Sequence, residues 1–327
     1  MTPLAPLSVR YARTGLAQLL GRDDLLAVLG FGDGAPASDD PRYLRVGLQP
    51  CEGEAPFEVW QVPGPVEHGR DGLIRWAASA DYLFGAIEID EVEHGGIRSA
   101  SSLAYRAMAD FLRSRRWPHL LRIWNYLAAI NHGAGDAERY KQFCVGRAEG
   151  MGQIGAQTYP AASAIGRSDG VGRLQLYWLS ARSAGVSVEN PRQVSAWCYP
   201  REYGPTAPTF ARATLGPTIP PQLHISGTAA VVGHASRHTG DLAAQLDETF
   251  ANLDSLRASA GHRDGFDGSS VLKAYVRHAA DAEPVSRELQ RRLPPEVARL
   301  VLLGDICRAE LLVEIDGLHG SASAPAS

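Results

Sequence analysis

From residue 57 onward the chain repeats one order of segments, and a duplicated order restricts the fold more than any single motif does. In the second half, an extended run at 193–198 is followed by a short element at 210–213 and a strand at 223–232. A helix at 241–256 comes next, with Leu242, Ala243, Leu246, Phe250, Leu253 and Leu256 recurring at helical spacing. A strand at 271–276, a helix at 284–292 with Pro284 in its first turn, and a closing strand around Glu314 complete the set. The first half offers the same order. Extended runs at 57–62, 74–77 and 82–89 precede a helix at 99–114, for which Ser99 or Ser101 is the expected cap; a strand at 119–126, a helix at 137–144 and a strand at 174–179 follow. Two copies of ββαβαβ predict an α+β protein of two tandem domains, each a sheet with its helices packed on one face. The boundary falls in the Gly-, Ser-, Asn- and Pro-containing stretch 183–191, dividing 1–185 from 186–327. Residues 1–7 and 320–327 are expected to be disordered tails.

At 327 residues the chain is long enough for two cores, and 45% hydrophobic with 21% charged residues is an ordinary globular balance. A net charge of −4 without a basic stripe speaks against nucleic-acid binding. No apolar run reaches the length of a membrane span and residues 1–20 carry no signal-peptide pattern, so a cytoplasmic protein is expected. Cys51, Cys144, Cys198 and Cys307 are scattered without CxxC spacing and read as reduced thiols. His224, His234 and His238 have no carboxylate or thiol at metal spacing around them. The glycine-rich run 165–172 lacks a phosphate-loop pattern and reads as a turn. Neither a metal nor a cofactor is expected.

Two segments of the last third frame a candidate pocket. The runs 223–233 and 304–316 both read as strands in which a glycine or an ionisable residue interrupts an apolar sequence. Burying Glu314 among leucine, valine and isoleucine is costly unless a partner or ligand compensates it, and raises the pKa of its carboxyl. Cys307 stands seven residues earlier, a thiol and a carboxylate within one short segment.

The second half resembles the small trimeric enamine/imine deaminases of the YjgF (Rid) type, a YjgF/chorismate-mutase-like fold. The matching elements are Phe210 to Ala213, Ile225-Ser226-Gly227 and Val313-Glu314-Ile315. A resemblance to the chorismatase family covers most of the chain. It rests on Arg122-Ile123-Trp124-Asn125-Tyr126, on the run from Arg139 to Arg147, on the run from Glu189 to Ala196, on Tyr199-Pro200, on Tyr203-Gly204-Pro205, on Pro208 to Ala213 and on Gly304 to Glu314. That resemblance implies two tandem YjgF-like domains, the first degenerate and the second carrying most of the active site. It implies chorismate as the small-molecule partner, a dianionic ring bearing an enolpyruvyl ether beside a hydroxyl.

Such a substrate needs arginines for two carboxylates and an acid for the enol ether. Arg212 and Arg287 are the expected carboxylate ligands, Tyr199 and Tyr203 the hydroxyl donors, and Gly227-Thr228 the stretch of backbone that admits the ligand closely. Glu314 is the expected general acid. By resemblance, a cysteine at the position of Cys307 indicates the branch that forms 3-hydroxybenzoate and pyruvate through an epoxide, with 4-hydroxybenzoate as a second product to be sought. A small residue there indicates the hydrolytic branch, which releases a dihydrodiol. A Rid-type imine deaminase and a metabolite-binding module are the rival readings. A monomer is expected, because a duplicated domain can cover its own sheet edges.

Each choice has a plainer alternative. A terminal-strand glutamate is commonly solvated, and free cysteines such as Cys144 and Cys198 behave as small buried hydrophobes. Arg287 has Glu283 and Glu288 close in sequence and equally fits a surface ion pair; Arg192, Arg201 and Arg308 share that ambiguity. Tyrosines in a Pro/Gly-rich loop often only pack the turn.

Overall fold

Strands dominate because apolar and β-branched runs recur between short turns, and most of these runs are buried along their length. The computed structural model describes residues 3–152 and 158–323. An N-terminal sheet holds β1 (Ser8–Ala12), β2 (Leu25–Phe31), β3 (Tyr43–Val46) and β5 (Phe57–Gln61) in the order β1-β5-β2-β3, with the short α1 (Leu16–Leu20) between β1 and β2. β4 (Gln49–Pro50) leaves this sheet to pair elsewhere.

Next come β6 (Glu67–Asp71), β7 (Ile74–Ala78), β8 (Tyr82–Asp90), α2 (Ile97–Arg113), β9 (His119–Ala128), α3 (Arg139–Met151), β10 (Ala161–Arg167) and β11 (Arg173–Ala181). The second half follows with β12 (Val186–Val188), β13 (Ala213–Leu215), β14 (Leu223–Ala229), the small hairpin β15 (Val231–Val232) and β16 (Ala235–Ser236), α4 (Leu242–Ser259), β17 (Val271–Val276), α5 (Ala282–Arg292), β18 (Ala298–Leu303), β19 (Asp305–Ile306) and β20 (Val313–His319).

One seven-stranded sheet runs β19-β10-β9-β11-β8-β7-β6 and the other β12-β13-β14-β20-β17-β18-β4. In each, three antiparallel strands are followed by the last strand of the half, then by a parallel pair: β9 with β10 in one sheet, β17 with β18 in the other. The fold is therefore α+β, as expected. In its large sheet each half follows βββαβαββ, two strands more than ββαβαβ, and the run 57–62 expected to open the first copy lies instead in the N-terminal sheet as β5. At the edge of each parallel pair sits a two-residue strand borrowed from outside that half, β19 on β10 and β4 on β18. The two sheets meet at β10 and β13–β14. There the Ala161 N–H donates to Thr214 Oγ1 at 2.8 Å and the Ala162 N–H to Ser226 Oγ at 2.9 Å.

Several local expectations are corrected. The run 193–198 is no strand; it ends in a single 3-10 turn at Ala196–Cys198. The run 304–316 is broken between β19 and β20, and the reason is Arg277. Its guanidinium donates to the carbonyls of Ile306 (2.9 Å), Arg308 (2.9 Å) and Leu311 (2.8 Å), so a side chain satisfies the backbone that a neighbouring strand would otherwise bind. α2 starts two residues earlier than predicted, at a Gly96 cap with φ 90°, and the Ser101 hydroxyl instead bonds back to the Ile97 carbonyl. α3 runs on past Cys144 to Met151, because Gly146 and Gly150 let it press against the backbone of α2, where a Cβ would strike Arg98 and Ser102. The first seven residues are not a free tail within the described part: Leu4 and Leu7 are buried, and Leu7 exchanges both backbone bonds with the Gln222 amide. At the other end, Ser321 bonds to Val9; residues 1–2 and 324–327 lie outside the described residues. The boundary stretch 183–191 contains β12. The glycine-rich run 165–172 is strand to Arg167 and turns only after it. Among the described residues no helix is long and apolar enough to cross a membrane.

Candidate active site

Where the two large sheets meet, a cavity of about 380 Å³ opens. Its walls come from α3 (Tyr140, Phe143, Cys144, Arg147), from β10 (Ala162, Ser163, Ala164) and from the second half (Gly227, Ala229, Glu314); the Cys307 to Leu311 turn and the 193–212 loop close it. The α3 contribution follows from helical geometry, since residues 140, 143, 144 and 147 share one face.

Glu314 is buried. It lies opposite Ala229 on β14 and Tyr275 on β17, and among the described residues its carboxyl has no hydrogen-bond partner. A bulge in the β14–β20 pairing, between Ile225 and Thr228, brings Gly227 against it. A Cβ at residue 227 would overlap the Glu314 carboxyl, so the glycine is required by close approach and not by an unusual φ. Burial pushes the Glu314 carboxyl up to about 8; nearby Asp316 adds to the rise, and Arg122 and Arg212 oppose it. At neutral pH the group is mostly a neutral acid on the wall of a cavity that Arg147, Arg212 and Arg308 also line.

Cys307 is half-buried and, like the other three cysteines, free; Cys144 is buried as expected, whereas Cys198 is exposed, because its 3-10 turn lies on the surface. Burial, and then Glu314, push its thiol up to about 12, so it is no thiolate nucleophile. Tyr140 hydrogen-bonds with the thiols of Cys144 and Cys307, and burial pushes its phenol well up. Cys307 thus shapes the wall beside Glu314.

Arg212 is buried, donating to the Val194 carbonyl at 2.8 Å and to the Tyr199 hydroxyl at 2.6 Å, while its Nε has no partner. Arg308 lies over the Tyr203 ring at 4.1 Å and the Tyr199 ring at 5.0 Å, held by the His234 carbonyl at 2.8 Å. The Tyr203 hydroxyl meets His234 Nδ1 at 3.2 Å. Tyr199 and Tyr203 are therefore stacked into the arginine wall as well as offering hydroxyls.

Of the expected residues, Glu314, Cys307, Arg212, Tyr199, Tyr203 and Gly227 converge on the cavity, and two do not. Arg287 is exposed on α5 and ion-paired with Glu283 one helical turn away, the plainer alternative. Thr228 lies one residue past Gly227 on β14, so its side chain leaves by the opposite face and bonds to the Ser226 carbonyl. Arg308 and Arg147 line the cavity where Arg287 does not. Arg147 donates to the Thr209 carbonyl and has an unpartnered Nε. Its signal was an arginine on the α3 face that also carries Phe143 and Cys144.

Beneath the cavity lies a buried polar network that strand periodicity did not reveal. Asp316 Oδ2 accepts from Arg122 (2.9 Å), Trp124 (3.1 Å), Ser163 (2.7 Å) and Tyr275 (2.9 Å). Lys273 lies 3.8 Å from Asp316 and 2.7 Å from Glu58 of the N-terminal sheet, and so links all three sheets. Burial pulls the Lys273 ammonium down, but Glu58 and Asp316 outweigh it. Among the described residues no three His, Cys, Asp or Glu side chains converge as a metal site requires.

Comparison with known proteins places this architecture. A curated chorismatase from Streptomyces rapamycinicus is 36% identical over 97% of this chain and 98% of its own length. The chain belongs to the chorismatase family. Residues 58–180 match the family model described as chorismatase FkbO/Hyg5-like, N-terminal. A 3-hydroxybenzoate synthase from Streptomyces hygroscopicus is 38% identical over 84% of both chains. A solved crystal structure of a chorismatase superposes with a TM-score of 0.86 at 34% identity, covering 98% of this chain and 100% of the other.

Proposed function

We propose that the protein converts chorismate to 3-hydroxybenzoate and pyruvate, with Glu314 as general acid. The observation that carries this reading is a buried, unpartnered carboxyl, held largely protonated at neutral pH, in a cavity with Arg212, Arg308 and Arg147. Arginines can neutralise the two substrate carboxylates, and a neutral acid can deliver a proton to the enol ether methylene carbon. Protonation makes that carbon a methyl and generates an oxocarbenium ion, which the carboxylate left behind stabilises. The ring hydroxyl then attacks the neighbouring ring carbon as the ether C–O bond breaks, releasing pyruvate. The hydroxyl proton restores Glu314, and the epoxide opens to the aromatic product. Atoms balance without water. Cys307 supports this branch over the hydrolytic one by filling the wall beside Glu314 with a thiol that burial keeps protonated. The identity with a 3-hydroxybenzoate synthase over most of the chain favours the same branch.

We also propose that residues 1–185 and 186–327 carry two copies of one domain, supported by the matching strand orders of the two large sheets. The test of function is to incubate the purified protein with chorismate, without added metal or cofactor, and identify the products. Pyruvate with 3-hydroxybenzoate is expected, and 4-hydroxybenzoate is sought in the same run. Pyruvate with a non-aromatic dihydrodiol would overturn the branch assignment. No pyruvate would overturn the reading altogether.

A further inference from the structure

Ser163 sits on β10 with its side chain at the floor of the cavity, buried, and facing the same point above Gly227 as the Glu314 carboxyl. A Cβ at residue 227 would stand 3.2 Å from Ser163 Oγ while overlapping Glu314. The hydrogen-bonding state of this hydroxyl is dictated by its partners. Its one proton is committed to Asp316 Oδ2 at 2.7 Å, since a carboxylate can only accept. One lone pair takes Arg122 Nη2 at 2.6 Å, since a guanidinium can only donate. Asp316 and Arg122 are themselves fully buried and paired at 2.9 Å, so neither can turn away to release the serine. What remains for the cavity is a single lone pair, and no hydrogen bond joins it to Glu314.

We infer that Ser163 is a substrate-contacting residue whose oxygen accepts a hydrogen bond from the ring hydroxyl of the bound molecule. The inference rests on the proposed function, and the chemistry of that substrate selects the group. Two carboxylates and an ether oxygen are acceptors and are repelled by an acceptor. The ring hydroxyl is the substrate's one donor. A serine locked in this way holds the hydroxyl beside the acid that starts the reaction, and because it cannot take up the proton, the hydroxyl gives it to the Glu314 carboxylate formed in the first step; the same lock disfavours ligands that present an acceptor there.

The test uses two unreactive probes, the lactyl ethers corresponding to chorismate with and without its ring hydroxyl. Lacking the enol ether, they are not turned over. Binding is measured by calorimetry to the wild-type protein and to Ser163→Ala, in which the direct Arg122–Asp316 pair remains. The wild type should bind the hydroxylated probe about tenfold more tightly than the deoxy probe, as expected for one hydrogen bond to a polarised group. Ser163→Ala should bind both at the deoxy level. A wild-type protein that does not distinguish the probes overturns the inference without recourse to any variant. A Ser163→Ala protein that keeps the preference, or weakens both probes alike, also overturns it while leaving the proposed reaction standing. Failure of the wild type to bind either probe, together with no pyruvate from chorismate, overturns both readings.

Discussion

Glu314→Gln tests the physical basis of the acid directly, because glutamine preserves the shape and removes the titration. In the folded protein the carboxyl holds its proton up to about pH 8, whereas the same group has a value of 4.5 when unperturbed. A carboxyl raised on folding binds its proton more tightly in the folded state than in the unfolded one. Its stabilising contribution is thus fully present below pH 4.5, declines as pH rises, and is gone above about pH 8, where a charge must be buried. Between pH 6 and pH 9 this one group should cost the wild type about 2–3 kcal/mol of stability. Urea unfolding of both proteins at pH 6, 7.5 and 9 measures it, since subtracting the variant's curve removes every other titrating group. The wild type should lose about 2–3 kcal/mol more than Glu314→Gln over that range. The variant should also lose turnover while still binding substrate, and wild-type kcat should fall along an alkaline limb near pH 8. Parallel stability curves for the two proteins would refute the buried neutral acid and remove the physical ground for its role.

Other expectations follow from the same geometry. Gly227→Ala should lower kcat at least tenfold and cost about 1–3 kcal/mol in chemical unfolding, because the new methyl overlaps the Glu314 carboxyl; an unchanged kcat would contradict the close approach. Arg212→Ala and Arg308→Ala should each lower kcat/KM by about 10- to 100-fold, measured as pyruvate release. Arg287→Ala is the control: exposed and paired with Glu283 on its own helix, it should leave kcat/KM unchanged and shift stability by less than about 0.5 kcal/mol. Cys307→Ala should divert product from 3-hydroxybenzoate toward the dihydrodiol on chromatography, and an unchanged product pattern would remove Cys307 from the choice of branch.

Local pattern alone carried the elements whose apolar spacing is strong. Strand 271–276 is β17 to the residue, and the helix from Asp241 is capped by that aspartate, which accepts from the Ala244 N–H. Much of the order of strands and helices within each half was legible for the same reason. β10 went unread because its small residues Ala161-Ala162-Ser163-Ala164 show no alternation of apolar and polar groups, and the N-terminal strands β1 to β3 lay before the repeat that drew attention.

Residue type and neighbourhood drew out Glu314 and Cys307, a carboxylate and a thiol close together in an otherwise apolar segment, whereas Arg212, Tyr199, Tyr203 and Gly227 were named through the resemblance to the chorismatase family and the needs of its substrate. The tertiary structure decided which arginines face the cavity. A helix surface and a cavity wall can carry the same arginine-glutamate spacing, and only packing distinguishes exposed Arg287 from enclosed Arg308 and Arg147. It also decided the state of each group: Asp316 reaches Arg122 and Ser163 from the other sheet, and those two hydrogen bonds exist only because the two sheets meet. Sequence determined which side chains were available for acid and anion chemistry. The apolar residues around Glu314 already set the direction in which its carboxyl shifts; burial at the junction of the sheets, with Asp316 adding and Arg122 and Arg212 opposing, set how firmly it keeps its proton, because the two arginines come from distant parts of the chain.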